Sequence, residues 1–122
     1  MAKIILLVED DPFLNSLLKT RLTNEGFTVV SASDGEEALG TIKKEKNLDL
    51  ILMDLILPKK SGFEVMEAMR SDPNIKKVPV VIISNLGQEE DIVRGKALGA
   101  IEYYVKAKTS IDDLVMKIKE HI

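Results

Sequence analysis

The feature that most constrains the fold is an alternation, along the whole chain, of short apolar runs with segments of helical period. The runs are rich in isoleucine and valine and predict strands at 4–8, 28–30, 50–53, 80–83 and 101–105. Their hydrophobicity is continuous rather than alternating, so we expect strands covered on both faces, as in a parallel sheet. Glu102 interrupts the last run and indicates an edge strand.

The segments between these runs carry helix start and stop signals. The predicted N-cap residues are Asp11, Asp34, Ser61 and Ser110. Glu37 and Glu64 each follow an N-cap by three positions, a spacing typical of the capping box. A helix over 88–98 is stopped by Gly99. Five β-then-α units with short connections predict a three-layer, doubly wound (βα)5 fold of the α/β class with right-handed crossovers.

Composition excludes several classes of protein. The 122 residues suffice for one domain, the net charge is -3, and the chain has no cysteine and a single histidine, His121. Thiolate catalysis, iron–sulfur clusters and histidine-rich metal sites are therefore excluded. We expect no direct nucleic-acid binding, because the chain has neither a basic stripe nor an aromatic platform. No apolar run is long enough for a signal peptide or a membrane span, so the expected location is the cytoplasm.

Polar side chains follow the predicted strands at the point where each strand ends. They are Glu9, Asp10 and Asp11 after the first strand, Asp54 after the third, Ser84 after the fourth and Lys106 after the fifth. Open parallel sheets bind ligands beyond the carboxyl ends of their strands, so these groups are expected to converge. Asp11 is the exception, because an acid before Pro12 is better explained as an N-cap.

Clustered carboxylates need a cation, and hard oxygen ligands favour Mg²⁺, with Mn²⁺ as an alternative. We assign Asp10 and Asp54 as direct metal ligands and Glu9 as a ligand acting through bound water. Asp54 can attack a phosphoryl group and form an aspartyl phosphate, while Ser84 and Lys106 take the phosphoryl oxygens. The donor must come from another molecule, because the chain offers no histidine for the task.

Taken together, these segments resemble the receiver domain of two-component response regulators, including the chemotaxis regulators. The resemblance rests on IILLVEDD at 4–11, DLILMDLILP at 49–58 with Gly62, PVVIIS at 79–84, LGA at 98–100 and YVK at 104–106. It implies a flavodoxin-like parallel sheet of five strands in the order 2-1-3-4-5. It also implies that Asp54 accepts its phosphoryl group from the phosphohistidine of a sensor histidine kinase or phosphotransfer protein.

The resemblance assigns further roles. The backbone carbonyl of Ile56 would join the Mg²⁺ sphere, and Gly62 would permit the turn into the third helix. Ser84 would move toward the phosphoryl group and Tyr103 would turn inward. This switch would change the surface of helix 4, strand 5 and helix 5, where a downstream protein or a second copy of the chain would bind.

Four positions beside the site differ from the usual pattern of the family or influence its chemistry. Asn85 replaces a small residue after the switch hydroxyl, and Ala107 replaces the proline after Lys106, for which a trans bond is the default. Ile56 and Leu86 occupy the positions that influence hydrolysis in this family. Both are apolar and cannot orient a water molecule, so we predict slow autodephosphorylation.

Two other functions are alternatives, one on the same fold and one that needs the same acids. One is a phosphorylation-independent interaction domain. The other is a Mg²⁺-dependent phosphatase with an aspartyl intermediate, which normally needs an acid or base at the position of Ile56. The leading interpretation is a non-enzymatic signalling domain that accepts a phosphoryl group and spans 1–122, with no effector domain in this chain.

Overall fold

The computed structural model describes residues 2–122, and it contains the predicted alternation of strands and helices. The strands are β1 Ile4–Val8, β2 Thr28–Ala32, β3 Leu50–Met53, β4 Val80–Ser84 and β5 Ala100–Val105. The helices are α1 Pro12–Asn24, α2 Gly35–Lys44, α3 Gly62–Ser71, α4 Glu89–Ala97 and α5 Ile111–His121. A single 3₁₀ turn, Lys106–Lys108, connects β5 to α5.

The five strands form one parallel sheet in the order β2-β1-β3-β4-β5, which confirms the predicted doubly wound topology. Val8 pairs with both Ala32 and Met53, so the carboxyl ends of the first three strands finish at one level. Between Val80 and Val81 the register against β5 shifts, and β5 forms the edge that Glu102 indicated.

Two apolar layers cover the sheet. On one face, the side chains of α1 and α5 pack on alternate strand residues such as Leu7 and Leu52. On the other face, α2 and α3 pack on the intervening residues such as Leu6 and Met53. The alternation arises because successive side chains of a strand point to opposite faces. Both faces are buried at β1, β3 and β4, which explains their continuous hydrophobicity.

The helix starts follow the sequence signals with one difference. Ser61 and Glu64 form the full capping box of α3, and the Asp34 side chain accepts a hydrogen bond from the Glu37 amide. Among the described residues, however, the return bond from the Asp34 amide to Glu37 is not formed. The Glu37 carboxylate lies 3.5 Å from the Ser33 hydroxyl instead, so the second predicted box is only half correct.

No helix within residues 2–122 is long and apolar enough to cross a membrane.

Candidate functional site

The sheet itself positions the acidic residues at its carboxyl edge. The backbone amide of Glu9 donates to the Ala32 carbonyl at 3.0 Å, and that of Asp54 donates to the Val8 carbonyl at 3.0 Å. Both acids therefore continue the hydrogen-bond ladder that begins in β1 and β3. Their side chains are held close together by backbone geometry rather than by a flexible loop.

Three ionisable groups meet at the centre of this edge. The Lys106 ammonium lies 2.7 Å from Oε1 of Glu9 and 2.8 Å from Oδ2 of Asp54. Glu9 is 1% exposed and Asp54 is 3% exposed, so both carboxylates are almost completely removed from water. Two buried negative charges thus share one lysine, which leaves the cluster with an excess of negative charge.

The pKa values of Glu9 and Lys106 are set by burial and by the contacts among Glu9, Asp54 and Lys106. Burial raises the pKa of Glu9, and the charge of Asp54 raises it further, although the close contact with the Lys106 ammonium and a hydrogen bond from the Asp11 amide act in the opposite direction. Burial alone would lower the pKa of Lys106, but its contacts with Asp54 and Glu9 outweigh burial and raise it. Lys106 therefore remains a cation beside acids that still lack full neutralisation.

The arrangement fits a divalent cation. Glu9, Asp10 and Asp54 each offer one oxygen, and these oxygens all lie within 4.8 Å of one another. Asp10 is exposed, so the cluster opens to solvent on its side. The Oε1 atom of Glu9 is buried and makes no well-directed hydrogen bond despite its proximity to Lys106, which suits a metal-bound water. An all-oxygen set of carboxylates favours Mg²⁺.

The loop after β3 carries the other predicted metal ligand. The amide of Ile56 donates to Oδ1 of Asp54 at 3.2 Å, and the Ile56 side chain is 53% exposed at the rim of the site. Gly62 closes this loop onto α3, because a Cβ there would lie 2.4 Å from the Asp54 carbonyl oxygen. The glycine is needed for this close approach of two backbone segments rather than for a turn with positive φ.

Ser84 and Tyr103 meet at Leu86. Ser84 ends β4 with 0% exposure, and its hydroxyl accepts a hydrogen bond from the Leu86 amide at 3.3 Å. The Tyr103 hydroxyl donates to the Leu86 carbonyl at 2.5 Å. Burial, with the negative charges of Asp91 and Asp54, raises the pKa of Tyr103 to about 12. The phenol therefore stays neutral and can remain a donor at any physiological pH.

The two positions that differ from the family pattern lie at the surface. Asn85 and Ala107 are both exposed, and Asn85 separates Ser84 from Leu86. The Lys106–Ala107 bond is trans, as expected for a residue other than proline. A trans bond does not prevent Lys106 from reaching the two buried acids.

Sequence reasoning missed one residue of the site, Asn15 on α1. Its side-chain amide donates to the Glu9 carbonyl at 2.9 Å and accepts from the Ser31 hydroxyl at 3.0 Å. Asn15 of α1 thereby connects the residue after β1 to Ser31 of β2. The only available signal was a carboxamide in the first helical turn after Pro12, and nothing local distinguishes it from a solvent-facing residue.

Comparisons with known proteins agree with this geometry. The response regulator receiver domain model matches residues 5–119. Transcriptional regulatory protein CpxR of Escherichia coli K12 is 43% identical over 102 residues, which are 84% of this chain and 42% of CpxR. The chain thus spans about two fifths of the length of that curated relative.

Solved structures are similar over nearly the whole chain. The phosphorylated cyanobacterial phytochrome response regulator RcpA is 35% identical with a TM-score of 0.84, over 98% of this chain and 91% of RcpA. TrrA of Thermotoga maritima, solved in complex with Mg(2+)-BeF, is 32% identical with a TM-score of 0.83, over 98% of this chain and 99% of TrrA.

A doubly wound sheet with an acid cluster and a lysine at its carboxyl edge is the arrangement of the regulatory domains that accept phosphoryl groups. This chain belongs to the response regulator receiver domain family of two-component systems.

Proposed function

We propose that Asp54 accepts a phosphoryl group from the phosphohistidine of a sensor histidine kinase or phosphotransfer protein. A carboxylate oxygen of Asp54 forms a bond to phosphorus while the bond from phosphorus to the imidazole nitrogen breaks, and the imidazole leaves. The observation that carries the proposal is the buried Asp54 carboxylate 2.8 Å from Lys106, beside two further acids.

The surrounding residues divide the remaining tasks. Asp10, Asp54 and the Ile56 carbonyl would hold Mg²⁺ directly, and Glu9 would hold it through water. Bound Mg²⁺ supplies positive charge to the phosphoryl oxygens. Lys106 and the Ser84 hydroxyl contact the remaining phosphoryl oxygens, which gain negative charge as the donor bond breaks.

Phosphorylation then changes the surface of α4, β5 and α5. It adds nearly two negative charges next to Lys106 and attracts the Ser84 hydroxyl. That movement breaks the contact of Ser84 with the Leu86 amide, and Leu86 also holds the Tyr103 hydroxyl. The Tyr103 ring already packs against the core, so a shift of Leu86 would change how firmly Tyr103 is held in this inward position. The altered surface binds a downstream protein or a second copy of the chain, and the receiver acts by protein contacts rather than by direct nucleic-acid binding.

Intact mass spectrometry tests the phosphoryl transfer. Incubation with Mg²⁺ and acetyl phosphate should add one phosphoryl group per chain, and Asp54→Ala should abolish the adduct. Asp113→Asn is the matched control, because this exposed acid at the start of α5 has no role in the site. Multiple turnover of acetyl phosphate would indicate a phosphatase. Absence of any adduct would indicate a phosphorylation-independent interaction domain.

The lifetime of the adduct is a separate prediction. The side chains of Ile56 and Leu86 are hydrocarbon and have no group that could hydrogen-bond an attacking water. The polar backbone groups of Leu86 are already bonded to Ser84 and Tyr103. We expect slow loss of the phosphoryl group after the donor is removed. Ile56→Asn should accelerate the loss about tenfold, because a polar side chain can direct the water. Fast loss from the unmodified protein, unchanged by Ile56→Asn, would contradict this explanation.

A further inference from the structure

A cavity of about 500 Å³ lies at the amino edge of the sheet, opposite the acidic site. It is bounded by the C-terminal half of α3, by the segment 72–78, and by the turn from α4 to β5. Of the described residues that line it, none belongs to the phosphorylation site. The volume falls within the range of small-molecule sites, roughly 300–1,000 Å³.

The lining combines an apolar floor with a cationic rim. The floor consists of Met66, Met69, Ile75, Val78, Val80 and Leu98. At the rim, Arg70, Lys76 and Lys77 provide three positive charges against the single negative charge of Asp72. The chain as a whole carries a net charge of -3, whereas the rim of the cavity is locally positive. A ligand that complements both features needs an apolar body and an anionic head.

We propose that this cavity binds a small amphipathic organic anion, such as an aliphatic or aromatic carboxylate, sulfonate or phosphate ester. Its apolar body packs against the flexible methionines of α3, which adapt to irregular shapes. Its head group pairs with Lys76 and Lys77 at the open side, where both side chains are exposed. Burial of the apolar body supplies the affinity, and the lysines select for negative charge.

Such a ligand would act on the position of α4. The Arg70 guanidinium donates to the Ala97 carbonyl at 2.6 Å, beside the cavity and at the last residue of α4. Arg94 reaches back from α4 to Glu67 at 2.8 Å and lies 4.2 Å from the centre of the Phe63 ring. A molecule seated between α3 and α4 therefore stabilises one spacing of these helices.

The coupling to phosphorylation rests on the proposed function, whereas the binding itself does not. If phosphorylation moves α4, the ligand and the phosphoryl group must influence each other equally, because coupling free energies are reciprocal. Binding at the cavity can therefore be tested alone, and its failure would leave the proposed phosphoryl transfer intact.

The test is an NMR titration of the ¹⁵N-labelled full chain with sodium octanoate. We expect saturable shifts at amides of Met69, Ile75, Val78 and Leu98, with a Kd of about 1 mM for a ligand of this size. Octylamine, which has a similar chain and a cationic head, should bind at least about tenfold more weakly. Equal binding of octylamine, or octanoate shifts that do not saturate at these amides, would overturn the proposal.

Charge-reversal variants provide the matched control. K76E/K77E should weaken octanoate binding about tenfold, whereas K43E/K44E on the exposed side of α2 should leave it unchanged. Equal weakening by both pairs would show a general charge effect and overturn the proposal.

A second variant, Val78→Phe, fills the cavity and should abolish the shifts. An unchanged ¹⁵N spectrum at residues remote from the cavity would show that this variant is folded, and octanoate shifts that persist in it would also overturn the proposal.

Discussion

The carboxyl edge of the sheet consists of two halves that are built differently. In the half formed by β1 and β3, every strand residue except Ile4 is buried, and the two acids extend the backbone ladder. In the half formed by β5 and α4, only Ala100 of the strand and Gly95 of the helix are buried. The acids stand at the end of the first half, whereas Lys106 and the proposed switch residue Tyr103 belong to the second.

The difference teaches how one small domain can combine fixed chemistry with a movable surface. Regions with few buried apolar contacts open at low free energy, whereas fully buried strands open only with the whole domain. The acids therefore keep their positions while α4 can shift. The second half is tied down by individual contacts, chiefly the Tyr103 bond to Leu86 and the packing of Gly95, and each of these can be changed separately.

The largest expected effect comes from Lys106→Ala, which removes the cation paired with the two acids of the first half. Removal of the cation leaves Glu9 and Asp54 buried without their partner, and loss of one member of a buried ion pair is strongly destabilising. The free energy of unfolding in Mg²⁺-free buffer should fall by about 3 kcal/mol, the lower end for a broken buried ion pair because Lys106 is partly exposed; urea titration measures it. Lys108→Ala, an exposed lysine of the same 3₁₀ turn, should change it by less than about 0.5 kcal/mol. Equal losses of stability in Lys106→Ala and Lys108→Ala would show that burial of the two acids does not depend on the charge of Lys106.

A smaller effect is expected in the second half, from Gly95→Ala. A Cβ at Gly95 would lie 2.7 Å from the Ile82 side chain and 3.1 Å from the Tyr103 ring. We expect a loss of about 1–2 kcal/mol in the free energy of unfolding, together with displacement of α4. Gly40→Ala is the control, because that position of α2 is open, and it should gain about 0.5–1 kcal/mol from helix propensity. Stabilisation of both variants would show that α4 tolerates displacement freely.

The smallest effect concerns the charge excess of the first half. Because the pKa of Glu9 is raised in the folded state, its ionised form reduces stability above that pKa, and the penalty disappears as the pH falls below the ordinary value of 4.5. Glu9→Gln should therefore stabilise the Mg²⁺-free protein near neutral pH, as measured by urea titration. Its advantage should vanish toward pH 4. If the stability gained by Glu9→Gln increased as the pH fell, the burial penalty assigned to ionised Glu9 would be wrong.

The sequence predicted most of the first half and little of the second. Glu9, Asp10 and Asp54, together with Lys106 after β5, could be located because they stand at the ends of apolar runs, and strand ends in a parallel sheet meet at one edge. The role of Gly95 in α4 could not be predicted, because it depends on contacts with Ile82 of β4 and with the Tyr103 ring of β5. Such contacts are set by tertiary packing, for which a single chain position carries no local signal.

The half-formed capping box at Asp34 has a similar cause. The local pattern was correct, yet the neighbouring Ser33 competes for the Glu37 carboxylate. Asn15 was missed for the same reason, since its partners lie at the ends of β1 and β2.

The most direct test of the central claim is amide hydrogen exchange of the full chain with and without Mg²⁺ and beryllofluoride, a phosphoryl analogue. The account predicts changed protection in peptides covering residues 84–105, while the β1 and β3 peptides stay unchanged apart from the acids themselves. Changes confined to the loop after Asp54, or equally large in α1 and α2, would contradict the division into a fixed acidic half and a movable responding half.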